Sequence, residues 1–331
     1  MTDATPTAGT REAGRPRPTP GGPPGLVMVL TENWTLWDPR RLDQVVRAAR
    51  IAEDTGFDTV MLSEHVVLGP AAGADGVMAN PRDYAMPGNQ DPAMPWPDSL
   101  VLASAIVAAT SRIRVALAAI IAPLRHPLLL AKQLATLDLL SGGRLVVQPT
   151  VSWHEQEYEA LGVPFAERGA RLDDHLDAWA ALWGATPASY EGRHVGFRDV
   201  YLEPKPARPD GPTIWIGGDH ALPAVARRLA AHGHGYHPLG QPDAAALDEL
   251  RERVRADGGR PEDLELIGGV RPRFPGPDRT ADVAEALEQV PRQVADGYTG
   301  ICIKPSQYLD DPDRLEPWAA DVVRRVSGMV G

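Results

Sequence analysis

GFDTVMLSEHVVLG, residues Gly56 to Gly69, decides how this chain is to be read. Gly56 marks a turn, and Thr59 to Leu62 is a short apolar run of the kind that forms a buried strand. The run then ends abruptly in Ser63-Glu64-His65. A carboxylic acid beside an imidazole at the end of a buried strand is either a polar loop or a strand end that faces a reaction.

Working outward, the same alternation of strand and helix repeats. Before it, Gly25 to Leu30 is a β-type run, and Asp38-Pro39 opens a helical stretch with apolar Leu42, Val45, Ala49 and Ala52 on one face. After it, an irregular insertion rich in Pro, Gly and Met runs from Val66 to Pro97. Asp98-Ser99 then caps a helix over Leu100 to Ala109, and Ile113 to Ile121 is a third strand. Pro127 starts a helix with Leu130, Leu134 and Leu137 on one side, closed by Ser141-Gly142-Gly143; Leu145 to Val147 begins strand four. Leu172, Leu176, Trp179 and Trp183 mark the next helix. An excursion from Thr186 to Pro209 follows, with hairpin character in SYEGRHVGFRDVYL. Strand five is PTIWIGG (Pro212 to Gly218), with a helix over Leu222 to Ala231. Gly235 to Pro238, Leu264 to Val270 and Thr299 to Ile303 complete eight strands.

Eight strands alternating with helices predict an α/β fold of the (β/α)8 TIM barrel type, with insertions after strands two and four. A doubly wound open sheet is the rival, disfavoured because no Gly-x-Gly-x-x-Gly turn follows an early strand. The expected organisation is a disordered Pro/Gly-rich tail over residues 1–24 and a single barrel domain over 25–331.

Composition narrows the function. The 331 residues are 43% hydrophobic and carry a formal net charge of −11. That balance disfavours nucleic acid or an anionic membrane surface as a partner, since phosphate binding needs a basic footprint. The single Cys302 excludes an internal disulfide, and no Cys/His spacing suggests zinc, so no metal is expected. The N-terminal stretch lacks the apolar core of a signal peptide, and no segment has the length of a membrane span. The expectation is a cytoplasmic protein acting on a small molecule.

In a (β/α)8 barrel the chemistry sits at the C-terminal strand ends. His65, His126, His154, His220 and His237 all fall at predicted strand ends on that rim. His65 stands out because it follows a buried strand directly. Neighbouring strand residues point to opposite faces, so Glu64 and His65 need not touch. His126, before Pro127, reads as a helix-entry residue. Gly217-Gly218, between a strand and a helix, lets the backbone approach an anion closely, or simply makes a tight turn.

Several long stretches then carry a resemblance. GFDTVMLSEH, LLLAKQLATLDLLSGGRL, EYEALGVPFAERGARLDDHLDAWAALW, YEGRHVGFRDVYLEPKP and PTIWIGG are similar to the luciferase-like monooxygenase superfamily of flavin- and deazaflavin-dependent barrels. Within it they most resemble the branch using coenzyme F420. The resemblance implies a ring bound at the barrel mouth, backed by a non-prolyl cis peptide among Ala118 to Ile121. It implies His65 as the acid or base; Glu64 beside it is the second candidate catalytic residue, there to orient His65 or to cap a loop. Ser63, Ala119, Ile120, Thr150, Ser152, Trp153, Gly217 and Gly218 would hold the cofactor, and Trp34, His154 and His237 would face the substrate. Where members commonly read Leu-Gly-Val-Gly-Val-Gly-Trp, this chain has Gln148, Thr150 and Ser152 in place of the three glycines, which narrows the pocket and makes it more polar.

Three activities fit this reading. The first is hydride transfer between the deazaflavin C5 and a small organic substrate, reducing C=C or C=N or running in reverse. His65 would supply the proton, since an imidazole has an unperturbed pKa of ~6.5. The second is an FMN-dependent monooxygenase fed by a partner reductase. The third is a barrel that binds a ligand without turnover. Relatives suggest a homodimer.

Overall fold

The structure, a computed structural model, describes residues 23–238 and 241–329. The tail expected over residues 1–24 lies, except for its last two residues, outside the described residues. The strands in chain order are β1 (Gly25–Val29), β2 (Thr59–Leu62), β3 (Arg114–Ile121), β4 (Leu145–Thr150), β5 (Ala188–Glu191), β6 (Gly196–Val200), β7 (Thr213–Gly218), β8 (Gly235–Pro238), β9 (Glu265–Gly269) and β10 (Gly300–Ile303). Eight of them close a parallel barrel in the order β1-β10-β9-β8-β7-β4-β3-β2, and β5 and β6 form a separate antiparallel hairpin. The open-sheet alternative is thereby excluded. The barrel predicted from the sequence is present strand for strand.

The helices are α1 (Leu42–Thr55), α2 (Ser99–Ala109), α3 (Pro127–Ser141), α4 (Glu155–Ala160) and α5 (Arg168–Trp183) in the first half. The second half adds α6 (Pro223–His232), α7 (Ala244–Ala256), α8 (Val283–Leu287), α9 (Val290–Ala295) and α10 (Leu315–Met329). Local chemistry sets their ends. Asp98 caps α2 by accepting the Val101 N–H at 2.9 Å. His126 caps α3 by accepting from Leu128 N, ahead of Pro127 at the first helical position. Gly56 ends α1 at φ +106°, a conformation a side chain would resist. The one-turn-and-a-half α4 escaped the sequence reading because six residues are too few to show a helical period.

Because the barrel strands are buried on both faces, they read as near-continuous apolar runs. Alternate residues serve two cores. Leu26, Met28, Val60, Leu62, Leu117, Val147 and Ile216 face the helices. Val27, Val29, Met61, Ala116, Ala118, Val146, Trp215, Ile267 and Cys302 fill the interior. At the N-terminal end, Arg114 and Glu265 form a buried two-point ion pair at 2.8 and 2.9 Å, with the guanidinium 5.6 Å from the Trp215 ring. The floor is closed, so any reaction space lies at the other end.

Candidate active site

The C-terminal ends of β2, β3, β4, β7, β8 and β10 converge there. Leaving β2, Ser63 binds the Thr31 hydroxyl at 2.6 Å, and the next two side chains part company. Glu64, only 6% exposed, accepts from Ser99 Oγ at 2.6 Å, Ile121 N at 2.7 Å and both terminal nitrogens of Arg125 at 2.7 and 3.0 Å. All its contacts are to α2, β3 and the loop after it. It braces the rim and does not reach His65.

His65 finds a different carboxylate. Its Nδ1 lies 3.3 Å from Oε2 of Glu157, which is fully buried on α4 and also accepts from the Val66 N–H at 2.5 Å and Ser152 Oγ at 3.3 Å. The imidazole stands edge-on to Trp96 (centroids 5.1 Å apart) and Trp153 (5.7 Å). Sequence reasoning missed Glu157 and Trp96. The available signal was an acidic residue beside Tyr158 on the apolar side of a short helix.

On the adjacent strand, the peptide between Ala118 and Ala119 is cis, and the β3–β4 register slips between Ala118 and Ile120. The expected cis peptide is present, and it falls in a bulge of the strand. Ala118 and Ala119 place nothing larger than a methyl at this point, giving a bare wall. Ile120 is fully buried in the outer core and does not line the mouth. Beyond β4, Thr150 is half-buried and Ser152 sits at φ +56°, so the backbone keeps a conformation suited to glycine although the residue is serine.

Across the mouth, Gln148 and His237 form an interior pair, Nδ1 of the histidine 2.7 Å from Oε1 of the amide. Burial drives the His237 pKa down to about 4, so the ring is neutral and its Nδ1–H donates. A Cβ at Gly217 would meet the amide end of Gln148, so the glycine leaves room for the Gln148–His237 pair. Gly218 has a φ of +130°, and its carbonyl accepts from the Tyr236 hydroxyl at 2.8 Å. His154 is not at the mouth surface. It is 2% exposed and its Nε2 accepts the Gly69 N–H at 2.7 Å, with burial lowering its pKa. Trp34 packs against the outer core with its indole N–H buried and without a hydrogen-bond partner.

The insertion after β2 lies over this space. It is fastened to α4 by Gly69–His154 and by Ala71 N donating to Gln156 Oε1 at 2.9 Å. On the far side Asn80 donates to the Arg279 carbonyl at 3.0 Å, and Arg82 pairs with Asp278 and Asp310. Between these anchors Tyr84 packs onto the interior core, and Lys304, at the end of β10, donates to the Asp83 carbonyl at 2.9 Å. Among the described residues, no group of three or more His, Cys, Asp or Glu is placed to hold a metal ion.

The closed parallel barrel, with helices between its strands and polar side chains gathered at the C-terminal mouth, is a (β/α)8 barrel of the enzyme-bearing type. The family model for luciferase-like monooxygenases matches residues 24–297, and this chain belongs to that family. An FMNH2-dependent dimethylsulfone monooxygenase of Pseudomonas putida is 30% identical over 242 residues, 71% of this chain and 59% of that protein. An uncharacterized protein of Mycobacterium tuberculosis is 38% identical over 170 residues, 50% of this chain and 58% of its own. The chain thus spans less than two thirds of the curated relatives it matches. Two solved structures share the fold at low identity. An F420-dependent secondary alcohol dehydrogenase superposes with TM-score 0.65 at 15% identity, covering 93% of this chain and 99% of the other. The EDTA monooxygenase of Chelativorans sp. BNC1 does so with TM-score 0.65 at 16% identity, covering 93% and 94%.

Proposed function

We propose that this chain is an oxidoreductase that works with a reduced flavin-type cofactor at the barrel mouth, and that it oxygenates a small organic substrate. The observation that carries the reading is His65, held by a buried carboxylate and boxed by two indoles, one strand away from the bare Ala118–Ala119 wall. The residues fit a flat tricyclic ring: methyl groups at 118 and 119 leave a wall without obstruction, and Gly217-Gly218 adds close-approach backbone for a phosphate. Tyr84 occupies the space over the same interior core, so the insertion must shift for a ring to enter. Ala118, Ala119, Thr150, Ser152, Gly217 and Gly218 would hold the cofactor. When bound, reduced flavin supplies electrons to dioxygen, whereas F420 supplies a hydride.

Reduced FMN comes first, ahead of the F420 favoured by motif resemblance, because the 30%-identical relative is FMNH2-dependent whereas the F420 structures share only the fold. A reductase would then supply the reduced flavin. His65 holds Glu157 through Nδ1, which leaves Nε2 to give or take the substrate proton. Trp96 and Trp153 stand edge-on to the same ring and place apolar surface beside it. F420-dependent hydride transfer is the second reading; the His65–Glu157 pair serves it equally, since delivering a hydride to C=C or C=N requires a proton at the neighbouring atom.

The test is binding of FMNH2 and reduced F420 by fluorescence, with oxygen uptake followed in each. His65→Ala is expected to lower turnover by about two to four orders of magnitude while cofactor affinity stays within a factor of a few. Unchanged kcat would remove His65 from the chemistry.

A further inference from the structure

Lys304 is 1% exposed, and its position two residues after Cys302 aims it into the barrel interior. Its ammonium has three N–H donors, yet one hydrogen bond is found, to a backbone carbonyl of the insertion. The face of Tyr84 lies 5.0 Å away, and Glu32 and Asp83 are the acids near enough to act on it through space. Among the described residues no carboxylate lies within ion-pair distance. Burial accordingly pulls its pKa below the ordinary lysine value. Buried ammonium groups are costly unless paired with an opposite charge. Here the pairing on hand is a neutral carbonyl and a ring face.

We propose that Lys304 is the receptor for a carboxylate or sulfonate group on the substrate, and that the Asp83 carbonyl holds its place while the insertion is closed. The inference rests on reading the mouth as the reaction site and adds the substrate's chemical class. One movement serves both needs: lifting residues 83–84 withdraws Tyr84 from the interior core and frees the ammonium. An anion then replaces one neutral acceptor with two ionised oxygens, and charge-assisted bonds are roughly twice as strong as neutral ones. The substrate itself thereby stabilises the opened insertion.

Calorimetric titration of the full chain, without cofactor, against hexanoate, hexane-1-sulfonate and hexanamide tests this. At least one anion is expected to bind roughly ten- to a hundredfold more tightly than the amide, and Lys304→Met to erase that preference. The melting temperature of Lys304→Met is expected to hold or rise, because a buried ammonium has been removed. Equal binding of anions and amide by the wild-type chain overturns the proposal. So does a preference that survives Lys304→Met, which would make Lys304 an anchor of the insertion. FMN and riboflavin are titrated in parallel; loss of an FMN-over-riboflavin preference in Lys304→Met would reassign the ammonium to the cofactor phosphate. A chain that selects anions through Lys304 but binds no reduced cofactor keeps the anion site and removes the redox reading. The converse result removes the anion site alone.

Discussion

Glu64 and His65 are chain neighbours with opposite fates. Strand geometry sends their side chains apart, so Glu64 becomes the partner of Arg125 and His65 the partner of Glu157. Glu64→Ala would strand a largely buried guanidinium, and the expected loss is about 3 kcal/mol in a urea unfolding experiment. A variant that keeps full stability and loses only turnover would return Glu64 to the reacting centre. His237 makes a second residue-scale prediction. Its folded pKa, about 4, lies below the ordinary histidine value, so between roughly pH 6.5 and 4 the unfolded chain binds a proton that the folded chain does not. Stability is therefore complete above that window and falls as pH drops through it. His154 and His175, also lowered by burial, act in the same direction. His237→Asn should flatten the acid limb of a urea-midpoint against pH curve; an unaltered limb would mean the native ring is already protonated.

At the scale of elements, the insertion over residues 66–97 is the part whose length was legible and whose position was not. Its Pro/Gly/Met composition marks an irregular excursion, but nothing local says that it crosses the mouth. Its fastening depends on partners about 85 to 228 residues away, Gln156 and His154 on one side and Asp278 and Asp310 on the other. Arg82→Ala removes one anchor. Cleavage within 66–97 by thermolysin should quicken about tenfold, with little change in global melting temperature, because the barrel does not depend on this strap. Equal cleavage rates would show that Arg82 does not restrain it. Helix α2 carries a different message. Its sequence SLVLASAIVAA is apolar on every face, yet Val101 is 71% exposed, and Leu129 and Leu140 on neighbouring α3 are 59% and 55% exposed. Helices apolar all round are ordinarily covered.

For the whole molecule, the family resemblance gives a homodimer as the expectation, and a second copy lying across α2 and α3 would cover these exposed side chains. Val101→Asp is expected to shift the mass seen by analytical ultracentrifugation from dimer to monomer, leaving the circular dichroism unchanged. A wild-type chain that sediments as a monomer would end that expectation. The barrel itself is held by two nested cores and a floor sealed by Arg114–Glu265, so the C-terminal mouth is left for chemistry.

Periodicity and punctuation alone determined that this chain is an eight-stranded barrel, because the barrel strands and the longer helices announce themselves through residues three or four positions apart, or two, while the six-residue α4 does not. The same local signals located His65, the Gly217-Gly218 turn and the caps at Asp98 and His126. What only the folded chain decided was partnership. That His65 pairs with Glu157 instead of its neighbour Glu64, that Gln148 reaches His237, and that Lys304 meets the insertion all depend on side chains from separate strand ends converging on one rim. No spacing along the sequence encodes those distances; closure of the barrel creates them.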